Sequence, residues 1–194
     1  MESSGRCRRR VASGFTLIEL LVTIAVLAIA LALGVPSFRE TMQRNRVASA
    51  SNDLVAALAQ ARGLAIANNA CATLCTAAVT GVGSPTCGTP GDRGFQDGWL
   101  VFVNPACDAA QTDPATAGAT LRQARDAGEP SVSIVASDDA FYRLMFDPRG
   151  IPNSAAATRV QVQVEGDGEH KFARTVCLDA AGRATIRRYT STCG

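Results

Sequence analysis

The stretch Gly14-Phe15-Thr16-Leu17-Ile18-Glu19-Leu20-Leu21-Val22 opens a long apolar run, and what surrounds that run decides the fold. From Phe15 to Val35 there are 21 residues with a single charge, Glu19. A helix of this length crosses a bilayer core, which takes about 20 apolar residues. Arg6, Arg8, Arg9 and Arg10 precede it, with Glu2 the only acid beside them. Basic flanks stay on the cytoplasmic side, so the N-terminus is expected inside and everything after Val35 outside. An acid within a spanning helix costs about 2.5–3.5 kcal/mol on insertion scales, and such a residue usually has a partner.

Downstream of Gly34-Val35-Pro36 the helical pattern continues without another proline as far as Asn68-Asn69. Val47, Ser51, Leu54, Leu58, Ala61 and Ala65 recur every three or four residues, the stripe of an amphipathic helix. Arg44, Arg46, Asp53 and Arg62 take its other faces. The pattern predicts one helix from Phe15 to about Ala67, apolar all round in its first half and one-sided in its second. Pro36 removes a backbone hydrogen bond and is expected to kink it near Ala32.

Beyond Asn69 the period shortens. Runs rich in Val, Ile, Phe, Tyr and Thr lie at 72–79, 98–103, 132–136, 141–146, 160–164, 172–178 and 184–189, separated by turn residues. Val160-Gln161-Val162-Gln163-Val164 alternates, so one sheet face is wet, and Gly166-Asp167-Gly168 signals a tight turn after it. Segments 81–94 and 104–114 are loop-like, and each contains a cysteine. The expected fold is α+β: the one-sided helix half lying across an antiparallel sheet. The 194 residues hold one domain of ordinary size plus the apolar segment.

Cys7 precedes the apolar run and six cysteines follow it. An even count outside the membrane reads as up to three disulfides. Cys177 and Cys193 flank one hairpin and Cys75 and Cys87 flank one loop, which leaves Cys71 with Cys107; other connectivities remain open to six cysteines. The net charge of +2 is uneven. Residues 15–170 carry ten arginines against fifteen acids, whereas residues 171–194 carry Lys171, Arg174, Arg183, Arg187 and Arg188 against Asp179 alone.

The stretch from Gly14 to Val22 resembles the type IV prepilin signature. The resemblance implies that a membrane prepilin peptidase cuts after Gly14 and that the new N-terminus, Phe15, is methylated. It also implies that Glu19 pairs with the N-terminal amine of a neighbouring subunit and sets the assembly register. Residues 15–67, Ala72-Thr73-Leu74-Cys75, Asp97-Gly98-Trp99-Leu100-Val101-Phe102, Phe146-Asp147-Pro148-Arg149-Gly150 and Gly182-Arg183 with the strand after it resemble the GspH/FimT branch of minor pilins. The implied organisation is a leader at 1–14, a transmembrane helix half at 15–35, an amphipathic half at 36–69 and a β-rich periplasmic domain at 70–194. The implied protein is a single-pass inner-membrane subunit that then joins an extracytoplasmic filament, with other pilins and the peptidase as partners and no cofactor.

Within that branch the first expectation is a FimT-like minor pilin that assists pilus assembly. The alternative is a GspH-like minor pseudopilin of a type II secretion system. The basic, cysteine-closed tail favours the pilus, and Arg183, Arg187 and Arg188 are candidates for non-specific DNA contact. In the FimT branch a Gly-Arg-any-Arg tail is linked to DNA binding; Gly182-Arg183-Ala184-Thr185 has no second arginine at that spacing, and Arg187-Arg188 come later.

Plainer readings compete. An ordinary signal peptide would be cut near Ala28-Ile29-Ala30 or Ala30-Leu31-Ala32, but it gains nothing from Glu19 and does not explain the stripe after Pro36. A membrane-anchored binding domain that never polymerises leaves the same signature without a role. Four thiolates from Cys71, Cys75, Cys87 and Cys107 could hold zinc, yet paired short motifs are missing and the compartment favours oxidation. Asp138-Asp139 is read as solvated acids rather than a calcium site. His170 is the sole histidine and no nucleophile–base pair stands out, so no enzyme and no metal are expected. Trp99 and Phe102 are read as core aromatics of a strand packed on the helix.

Overall fold

The computed structural model describes residues 15–78, 85–89, 91, 94–116, 118–126, 128–138, 141–154, 158–166, 168, 170–190 and 192–193. Cys7, Gly14, Asp139 and Asp167 lie outside the described residues. The chain divides into two compact units, Met1–Thr41 and Met42–Gly194, and helix α1 (Leu17–Asn68) contributes to both.

In the first unit every described residue is exposed. The helix is unbroken across Pro36. It is long and apolar enough to cross a membrane, with a mean hydropathy of 2.7 in its most apolar part.

In the second unit α1 becomes one-sided. Val47, Ala50, Ser51, Leu54, Ala57, Leu58, Ala61 and Ala65 are buried, which includes every member of the stripe read from the sequence. The alanines and the leucines Leu54 and Leu58 share one core with side chains of both sheets. Each fully buried leucine contributes about 1.5–3 kcal/mol. Ser51 is tolerated there because its hydroxyl donates to the Val47 carbonyl at 2.7 Å. The helix stops where Asn69 turns left-handed at φ 47°, a position asparagine accepts more readily than most residues.

Eight strands follow: β1 (Cys71–Thr76), β2 (Trp99–Asn104), β3 (Thr120–Arg125), β4 (Val132–Ala136), β5 (Arg143–Phe146), β6 (Thr158–Val164), β7 (Arg174–Leu178) and β8 (Ala184–Arg188). They form two antiparallel sheets, β3-β2-β1-β5 and β4-β6-β7-β8, where the sequence reading expected one. The chain divides its strands because β4 pairs with β6, while β5 between them returns to β1. Leu74, Trp99, Val101, Leu144 and Phe146 from the first sheet meet Ile134, Val160, Val162, Val176 and Leu178 from the second in one core with the helix stripe.

Two further corrections concern the first sheet. Strand β3 forms between the loop-like 104–114 segment and the run at 132–136, where no strand was expected. Its exposed sequence, Thr-Leu-Arg-Gln-Ala-Arg, has little β signature, and pairing with β2 makes it a strand. Phe102 is buried, but against Cys75, Cys87 and Leu100 rather than the helix. Trp99 and Phe102 are three residues apart, so strand alternation sends them to opposite faces.

Candidate functional site

Glu19 sits in the first turn of α1, where an acid complements the helix dipole, and its N–H is 3.2 Å from Thr16 Oγ1 as acceptor. Around it Leu17, Ile18, Leu20, Leu21 and Val22 are all exposed, as are the large apolar side chains onward to Val35. Phe15 is 83% exposed. The apolar side chains from Leu17 to Val35 are thus presented outward, with a single carboxylate among them.

Three disulfides shape the β-rich part: Cys71–Cys107, Cys75–Cys87 and Cys177–Cys193. They use all four thiols of the zinc reading. The first two anchor the connections on either side of β2 to β1, and the third ties the tail to β7. Arg125 fixes the end of β3 by lying over the Trp99 ring at 4.3 Å while donating to Asp53 Oδ2 at 2.9 Å.

Two short loops with the same spacing, Asp147-Pro148-Arg149-Gly150 and Asp179-Ala180-Ala181-Gly182, close the far end of the core. Asp147 Oδ1 accepts from the N–H groups of Arg149 and Ile151, each at 2.9 Å. Asp179 Oδ1 accepts likewise from Ala181 at 3.0 Å and Arg183 at 2.8 Å. Each carboxylate also holds a guanidinium, Arg149 Nη2 and Arg183 Nε respectively, at 2.9 Å. The backbone N–H of Ile151 above all, with Arg149 adding to it, lowers the Asp147 pKa below its ordinary 3.8. The backbone N–H of Arg183 above all, aided by its guanidinium, does the same for Asp179. Arg62 of α1 donates Nε to the Gly150 carbonyl at 3.1 Å, so the helix joins the clamp. The sequence reading used these loops only as family marks; their repeated Asp-x-x-Gly spacing was the available signal for a shared structural role.

The tail arginines do not form one patch. Ala184 and Ile186 pack on the core, so alternation sends Arg183 and Arg187 outward and Arg188 to the helix side. Arg188 is the register partner of Arg174 on β7. With Arg44 of α1 and Lys171 they line an open cleft of about 540 Å³. At its rim His170, held at φ 53°, stacks on Tyr189 with ring centroids 4.0 Å apart, and its Nδ1 is 2.7 Å from Gln163 Oε1. Sequence reasoning missed Arg44 and Arg174 as members of this group.

An apolar N-terminal helix with one acid in its first turn, continued as the spine of a disulfide-closed β domain, defines a type IV pilin-like subunit. The family model described as Type II transport protein GspH matches residues 50–182, and the chain belongs to that family. A second model, described as the prokaryotic N-terminal methylation motif, matches residues 9–35. Two crystal structures of the type IV minor pilin FimU from Pseudomonas aeruginosa (strain PAO1) are similar in fold, each at 16% identity. Their TM-scores are 0.55 and 0.52, covering 76% and 72% of this chain and 92% and 90% of theirs. No curated protein sequence matches the chain. The protein is a minor type IV pilin or pseudopilin-like protein.

Proposed function

We propose that the chain is a FimT-like minor subunit of a type IV pilus. It is cut after Gly14, methylated at Phe15, and held in the inner membrane by residues 15–35 with residues 70–194 in the periplasm until a filament takes it up. The observation that carries this reading is the wholly exposed apolar half of α1. A surface of that size is covered by lipid or by neighbouring helices. Glu19, in its first turn, is the group that a neighbour's charged N-terminus would neutralise. A structural role in assembly follows, with other pilins and the prepilin peptidase as partners.

The test is deletion of the gene in its host, followed by counting surface pili and measuring exoprotein release. Loss of pili with normal secretion is the expected result. Loss of secretion with normal pili would move the chain to the second reading, a minor pseudopilin of a type II system, which the description of its family favours.

DNA contact is a narrower proposal, supported by the net charge of residues 171–194. On the outward face of β8 it would use Arg183 and Arg187, with Arg188 turned to the other side. Binding would be independent of sequence, and its logarithm would fall with that of salt at a slope of about −0.9 per phosphate contact. Anisotropy of labelled duplex against the full chain in detergent tests it, beside an Arg183→Gln, Arg187→Gln, Arg188→Gln variant. Equal binding by the two proteins, or none at low salt, would remove DNA from the function.

A further inference from the structure

Between Arg93 and Arg122 the chain carries Asp97, Asp108 and Asp113 and no cation. The middle of that stretch, residues 105–110, is exposed throughout, yet it is firmly held. Cys107 is bridged to Cys71 with Cα atoms 5.1 Å apart, and its N–H donates to the Asn104 carbonyl at 3.0 Å. The buried Asn104 donates Nδ2 to the Asp108 carbonyl at 2.8 Å. Asp108 Oδ1 accepts from the Ala110 N–H at 2.7 Å, and among the described residues no cation pairs with this carboxylate. The loop thus presents an acid in a fixed position, so little ordering entropy remains to be lost on contact.

Opposite charge gathers where α1 enters the same compact unit. Arg174 and Arg188 stand directly across from each other on β7 and β8. Side chains so placed have Cβ atoms about 5 Å apart, and like charges there are destabilising. Among the described residues neither guanidinium is in an ion pair or a side-chain hydrogen bond. Arg44 adds a third guanidinium to the same cleft, held over the Phe172 ring at 5.6 Å. Lys171 is exposed at the rim and already engaged, over the same ring at 5.2 Å, so the three arginines make the anion site.

Arg44 and Asn68 are separated by about 36 Å of helix, and Cys71, which anchors the acidic loop, comes three residues after Asn68. The unit Met42–Gly194 therefore has an acidic projection at one end of its helix and a basic hollow at the other. Contact between unlike ends is heterologous: it stacks copies in one direction and leaves each end open for the next. Guanidinium groups match carboxylates through paired donors. A nucleic acid duplex would call for cations in a row, whereas these three occupy one basin, and Arg183 and Arg187 lie on the opposite face of β8.

We propose that the cleft of Arg44, Arg174 and Arg188 receives the Asp108 loop of a second copy of this chain. The proposal rests on the filament-subunit reading and deepens it: it names the surface through which one copy meets the next, with both helices pointing the same way.

Lys171 is the sole lysine of the chain and stands at the rim of the cleft, so a carbodiimide, which joins a carboxylate to an amine without a spacer, reports on the contact. The full chain in detergent is prepared as an equal mixture of isotope-labelled and unlabelled copies, treated at low salt, and mapped by peptide mass spectrometry. Links between Asp108 and Lys171 should include peptides of mixed label, which arise only between copies. Their yield should fall up to about fivefold with each of Arg44→Gln, Arg174→Gln and Arg188→Gln, the most that one exposed ion pair supplies. Moderate salt should lower it likewise. An Arg183→Gln, Arg187→Gln variant, altered on the other face, should link as the wild type does. If the strand variants fail to fold by circular dichroism, Arg44→Gln, at an exposed helix position, gives the same reading. No mixed Asp108–Lys171 link at low salt, mixed links spread evenly over the exposed acids, a yield unchanged in the cleft variants, or an equal loss in the outer-face variant would each overturn the proposal. A link that is absent while the cleft holds an oligonucleotide lost in the cleft variants would assign the cleft to nucleic acid instead. Intact mass keeps the two readings apart: a mature start other than Phe15 refutes the pilin reading, whereas a chain that starts at Phe15 and forms no mixed link overturns the contact alone.

Discussion

Gly182 and Gly150 meet so closely that a Cβ on Gly182 would stand 2.4 Å from the Gly150 carbonyl oxygen. The two glycines lie in loops that follow strands of different sheets, β7 and β5, both have positive φ at 76° and 78°, and Arg62 of the helix closes over the same carbonyl. The contact fastens the two sheets to the helix at one point.

Gly182→Ala should therefore destabilise the protein by roughly 2 kcal/mol or more, through a positive-φ penalty and a clash with backbone that cannot yield. Thermal melts should show a fall of about 5 °C or more. Gly63→Ala is the control of opposite sign: Gly63 lies inside α1 with nothing near its missing Cβ, so alanine should raise stability by up to about 1 kcal/mol. A melting point unchanged in Gly182→Ala would show that the contact is looser than described.

Acid should loosen the same clamp. The Asp147 and Asp179 carboxyls have pKa values lowered below 3.8, so their contribution is complete above that value and is lost as pH falls through the lowered folded values. Melting temperature should drop on acidification from about pH 5 to about pH 2, and the drop should be smaller in Asp147→Asn, Asp179→Asn. Both side chains are solvent-facing, so ionic strength should reduce the effect. An identical acid slope in the double variant would mean that other groups carry it.

Glu19→Ala is expected to leave processing at Gly14 intact while filament incorporation falls, because only a charge pairing is removed. Intact mass of the mature chain and its recovery in sheared filaments measure the two separately. A mature start near Leu33 would refute prepilin processing, and normal incorporation of the variant would refute the role given to Glu19.

Removing the tail disulfide with Cys177→Ser, Cys193→Ser should cost about 3 kcal/mol in the chain-entropy model, since the loop it closes is of the length for which that figure holds. Strand β8 should then exchange its amide hydrogens faster than β6. Non-reducing peptide maps give the pairing directly, and a free Cys177 would contradict it.

The parts legible in sequence were those governed by local period. The stripe Val47, Ser51, Leu54, Leu58, Ala61, Ala65 needed only helical spacing to be read, and Val160-Gln161-Val162-Gln163-Val164 needed only alternation. Strand β3 was illegible because Thr120–Arg125 has the composition of a helix or loop and becomes a strand only through a partner contributed from elsewhere. The cleft was illegible for the same reason at larger scale: Arg44 and Arg174 meet through the packing of α1 on the second sheet. That Arg188 faces away from Arg183 and Arg187 needed only strand alternation to be read.

The disulfides acquire a mechanical meaning from where they end. Cys71–Cys107 and Cys75–Cys87 belong to the first sheet and its loops, and Cys177–Cys193 to the second. Among the described residues none ties a sheet to α1 or one sheet to the other. A pull along the helix, as a filament under load would deliver, thus meets no covalent cross-link before Cys71, just past the helix end at Asn68. The seam between helix and sheets is held by alanine and leucine packing, by the Arg62–Gly150 hydrogen bond, and by Arg125–Asp53 and Arg46 with Ser131 and Glu129, all non-covalent. Sliding at that seam would break hydrogen bonds and ion pairs but no disulfide, so the loops would stay locked and the seam could re-form.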